Sequence, residues 1–102
     1  MQSDLFDKTK YISLAMTIAS KFKDETNMVY GFAMNGVDIG LQRIQRSKVM
    51  MEEVERKPDM IAAHLTWYVK TCIEVELGYD NEDTRAWKNG KFDEYAKKAA
   101  RS

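Results

Sequence analysis

A chain of 102 residues, 44% hydrophobic and 31% charged, is long enough for one domain with a real core, residues 1–102, and too apolar for a disordered polymer. Sixteen basic residues balance sixteen acidic ones, so no whole-chain field announces nucleic acid or an anionic membrane. One proline and five glycines favour long helices over many short strands, and a single cysteine excludes an internal disulfide.

In chain order, Ser3 or Asp4 can cap a first helix that reaches about Lys23. Its apolar stripe is Tyr11, Ile12, Leu14, Ala15, Met16, Ile18, Ala19 and Phe22, at helical spacing. Residues 23–27 read as a polar connection, with Thr26 or Asn27 as the next cap.

Two readings compete over residues 29–42. As strands, Asn35-Gly36 is a strong hairpin turn that opposes Met34 to Val37, Phe32 to Ile39 and Tyr30 to Leu41 on one apolar face. Gly31, Gly36 and Gly40 would together cost a helix roughly 3 kcal/mol relative to alanine. As a helix, Tyr30, Met34, Val37, Leu41 and Ile44 form a stripe that continues in phase to Met51 and Val54, and the glycines allow close helix packing. The unbroken phase favours the helix, as does the marginal stability of an isolated hairpin, which needs a surface to rest on; the hairpin stays as the alternative. Residues 41–57 are helical under either reading, until Pro58 ends the run.

Asp59 to Leu77, bracketed by Pro58 and Gly78, carries apolar residues on two sides. Ile61, Leu65, Tyr68, Cys72 and Val75 make the core stripe, with Val69 and Ile73 at its edge. Met60, His64, Trp67 and Thr71 run down the opposite side, where charge is expected. A helix apolar on two sides touches two things. Tryptophan and methionine suit the buried centre of an interface, so these four residues are the candidate protein-binding surface, with a homo-oligomeric contact as the expected form. The competing reading is that the first or last helix covers Trp67 within the chain. Asp83 or Thr84 can then cap a short helix stopped at Asn89-Gly90, and Phe92, Tyr95, Ala96 and Ala99 make the thin stripe of a last helix.

Charge is unevenly placed. Residues 59–83 sum to −5 and residues 84–102 to +4, which suggests that the basic tail folds back on the acidic segment. Arg43, Arg46 and Lys48 form a second basic stretch able to grip carboxylates, phosphates or base edges, although Glu52, Glu53 and Glu55 follow closely.

No catalytic residues are assigned. His64 has no carboxylate or thiol at three or four residues, and Cys72 lies two helical turns from it, so neither a local metal pair nor a nucleophile–base pair is visible. The most economical reading of His64 is a histidine packed or hydrogen-bonded at a helix contact. Asp80-Asn81-Glu82-Asp83 lacks the alternating ligands of a calcium loop, and the glycines match no phosphate-binding pattern. No cofactor is expected. No signal peptide or membrane-spanning run is visible, and a cytoplasmic location is expected.

The expectation is an all-α small bundle, or α+β with one hairpin at 29–42. Its expected role is a non-enzymatic binding module, an adaptor or inhibitor by analogy with phage accessory proteins. The alternative is a nucleic-acid binder that uses Arg43, Arg46, Lys48 and the basic tail.

Overall fold

The computed structural model describes residues 5–22 and 27–101; the expected caps Ser3, Asp4 and Thr26 and the connection at 23–26 lie outside them. Asp7 opens the first described element instead. Its carboxylate accepts from the Thr9 amide at 3.0 Å and the Thr9 hydroxyl at 2.7 Å, nucleating a 3-10 turn at Lys8–Tyr11 that leads into α1, Ile12–Ala19.

The ambiguous segment is helical: α2 runs unbroken from Asn27 to Arg46. Its glycines explain why the turn signal misleads. A Cβ on Gly36 would lie 2.7 Å from the Val69 Cα and 2.9 Å from the Tyr68 carbonyl oxygen. A Cβ on Gly40 would lie 2.6 Å from a Leu65 methyl. Gly36 brings α2 into backbone contact with the next long helix, Gly40 makes room for the Leu65 and Tyr68 side chains, and this packing offsets their low helix propensity.

The helical phase does not continue to Lys57 as expected. Ser47 is extended (φ −102°, ψ 115°) and its hydroxyl accepts from the Met50 amide at 3.2 Å, so it caps a new helix, α3, Lys48–Arg56. The break shifts the register. Met50 is fully buried with Val54, while Met51 is only partly covered.

Pro58 separates α3 from α4, Met60–Glu76, which packs against every other helix. Two short helices follow, α5 at Glu82–Lys88 and α6 at Phe92–Arg101. Asn81 caps α5 rather than Asp83 or Thr84: its side chain accepts from the Thr84 amide while the Thr84 hydroxyl accepts from the Asn81 amide, a reciprocal capping box. Gly78 (φ 84°) and Gly90 (φ 75°) end α4 and α5 in the left-handed region that glycine enters without strain.

No strand occurs among the described residues, and the architecture is an all-α bundle around α4. The main core combines Ile61, Leu65, Val69 and Ile73 of α4 with Ala15, Ile18, Val29, Ala33, Val37, Leu41, Ile44, Met50 and Val54. Val69 and Ile73 are therefore central, not marginal. A second cluster joins Trp67 and Tyr68 to Ala96, with Ile39, Trp87, Phe92 and Tyr95 around them. Among the described residues, no helix is long and apolar enough to cross a membrane.

Candidate functional site

Three of the four residues expected to form a free surface on α4 are covered by the chain itself, and Met60 alone keeps part of its side chain open. His64 and Thr71 are 0% exposed, Trp67 is 2% exposed, and Met60 is half-buried. The Trp67 ring lies 6.0 Å from Trp87, 6.3 Å from Tyr95 and 5.3 Å edge-on from Tyr68. Its indole N–H donates to Asp83 at 3.1 Å, and the other Asp83 oxygen accepts from Lys70 at 2.9 Å. The physical reason lies in α5 and α6. Helices of 7 and 10 residues are too short to persist alone and need an apolar seat, which the second face of α4 supplies. The expected homo-oligomeric contact loses this face as its seat.

His64 reaches across to α3. Its Nε2 lies 2.8 Å from Glu53 Oε1, and an ionised carboxylate can only accept, so Nε2 carries the hydrogen. That hydrogen bond, against some desolvation, holds the Glu53 carboxyl below the usual carboxylate range. His64 is thus a packed, hydrogen-bonded residue at a helix contact. Cys72 is 4% exposed, and burial pushes its thiol up to about 11, which leaves it a small core hydrophobe rather than a nucleophile. The acidic turn is also engaged internally: Asp80 accepts from Arg85, Asn81 caps α5, Glu82 accepts from the Tyr95 hydroxyl, and Asp83 holds Trp67 and Lys70. Among the described residues, no group of three His, Cys, Asp or Glu side chains is placed to hold a metal ion.

The basic stretch divides. Arg43 turns inward, its guanidinium 4.8 Å from the centre of the Phe92 ring, where it holds the start of α6 by a cation–π contact. Arg46 and Lys48 remain exposed on either side of the Ser47 break.

A different basic site appears where three helix ends meet. Arg56 and Lys57 at the end of α3, Met60 at the start of α4 and Arg101 at the end of α6 line a groove of about 340 Å³, with Glu53 on its wall. Lys97 also acts on the Glu53 carboxylate from α6. Among the described residues, none of Arg56, Lys57 and Arg101 forms a salt bridge. The Arg56-Lys57 pair before Pro58 and the basic tail were the available signals for this groove. Sequence alone did not join them, because only the return of α6 along α4 brings Arg101 to Arg56. Comparison with protein-family models, curated proteins and solved structures gives no match.

Proposed function

We propose that this chain is a non-enzymatic binding module that engages a protein partner, in the manner of an adaptor or inhibitor, through the groove of Arg56, Lys57, Met60 and Arg101. The observation that carries this reading is the convergence of three cations, unengaged in salt bridges among the described residues, around a partly buried methionine. Arginine and methionine are both enriched at protein interfaces. The groups best suited to chemistry support binding over catalysis, since His64 is spent on Glu53 and the Cys72 thiol is enclosed.

The nucleic-acid alternative rests on Arg43, Arg46, Lys48 and the tail. It is the weaker reading, because Arg43 is committed to Phe92 and the acidic Glu52, Glu53 and Glu55 interrupt a phosphate track along α3.

Photo-crosslinking tests the proposal. A crosslinker at position 57 is compared with one at the exposed Lys8, and the captured partner is purified and rebound to the full chain. A defined protein captured only at 57, whose rebinding is lost in Arg56→Glu, supports the reading. Identical capture at both positions, or rebinding indifferent to Arg56→Glu, overturns it.

A further inference from the structure

We infer that the groove between the ends of α3 and α6 recognises an acidic segment of a partner protein, with side-chain carboxylates seated on Arg56 and Arg101. This rests on the binding-module reading and names the ligand chemistry of that site. Three observations point there. Two guanidinium groups and an ammonium converge from the ends of two helices, and guanidinium groups pair with carboxylates in a bidentate geometry that fixes orientation. Met60 adds an apolar contact that a peptide can use and a bare inorganic anion cannot. The positive end of α4, whose cap Asp59 makes no side-chain hydrogen bond, opens at the same place and reinforces the attraction.

Glu53 gives the groove polarity. Held ionised by His64, it repels any anion at the inner wall, so ligand carboxylates settle toward Arg56, Lys57 and Arg101. The same geometry disfavours a nucleic-acid strand, which needs a continuous cationic track. Asp93 and Glu94 share the neighbouring surface of α6 with Lys97, Lys98 and Arg101, and Glu52 and Glu55 stand next to Glu53 and Arg56 in the sequence of α3. The positive area is short and local, on the scale of one or two peptide side chains rather than a phosphate backbone.

A nuclear magnetic resonance titration of the full chain decides the matter. The probes are a capped hexaglutamate peptide, a capped hexalysine peptide and an oligothymidine of similar charge. The Met60 methyl reports on the groove and the Trp67 indole N–H reports on the fold. Hexaglutamate is expected to shift Met60 and leave Trp67 in place, and hexalysine to do neither. Arg56→Gln with Arg101→Gln should weaken hexaglutamate about tenfold, since two charge-assisted contacts are lost. Glu53→Gln keeps an acceptor for His64 and removes the repelling charge, so it should tighten the same peptide. These opposite signs separate recognition from a general loss of structure. Oligothymidine that binds more tightly than hexaglutamate, or weakening by both sets of substitutions, overturns the proposal. If the crosslinked partner of position 57 presents a non-acidic segment to the groove, the ligand chemistry fails while the binding-module reading stands.

Discussion

Trp67 is the residue on which the second half of the molecule rests. Its ring meets Tyr68, Trp87 and Tyr95, and its N–H is anchored on Asp83. Trp67→Ala should therefore cost roughly 3–5 kcal/mol of folding stability, a large share of the whole for a domain of this size. Chemical denaturation measures the loss, and sedimentation of the folded fraction should show no change in assembly. Cys72 offers a test by pH. Burial raises its folded-state pKa to about 11 from the ordinary thiol value of 9.0. A group whose pKa is raised on folding contributes its full stability below the unfolded value and loses it as pH rises through the folded one. Stability should fall between pH 9.0 and about 11, and Cys72→Ala should flatten that limb of the pH–stability curve. The spacing of Leu65 and Cys72 marks them as core in the sequence, and both are buried. The enclosure of Trp67 was not legible in that way. Periodicity shows that a helix has a second apolar face but carries no information about which element covers it.

Glycine decides the packing of α2 at two positions and has no such role at a third. An alanine at Gly36 meets backbone atoms of Val69 and Tyr68 that cannot step aside, whereas nothing lies within 4 Å of an alanine at Gly31. Gly36→Ala should destabilise by about 1–3 kcal/mol through forced separation of α2 from α4, despite the better helix former. Gly31→Ala should stabilise by up to about 1 kcal/mol, through helix propensity alone. Thermal melts of the two variants should move in opposite directions. At this scale the helical phase from Tyr30 to Ile44 was readable, and Asn35-Gly36 misled because a glycine that permits close approach looks the same in sequence as one that makes a turn. The cap at Ser47 is illegible for a related reason. A serine between Arg46 and Lys48 looks like ordinary polar surface until its hydroxyl is seen to accept from the Met50 amide. Ser47→Ala should cost about 0.5–2 kcal/mol, read by the same melts.

At the scale of the whole molecule, α4 touches all five other helices and joins two apolar clusters of unequal size. The all-α class was readable from composition and periodicity. The basic groove was not, because Arg56 and Arg101 are distant in sequence and meet only through the antiparallel return of α6. The division into clusters also has a spectroscopic consequence. Both tryptophans of the chain, Trp67 and Trp87, belong to the smaller aromatic cluster, and neither belongs to the larger aliphatic one. Tryptophan emission is thus blind to the main core and reports on the smaller cluster that α5 and α6 build on α4. Circular dichroism, by contrast, averages over every helix. If the small cluster opens first on heating, the emission maximum shifts to the red at a temperature below the loss of ellipticity. Coincident transitions would mean that the two clusters melt as one cooperative unit. The chain carries its own optical gauge for the part of the fold that closes over α4.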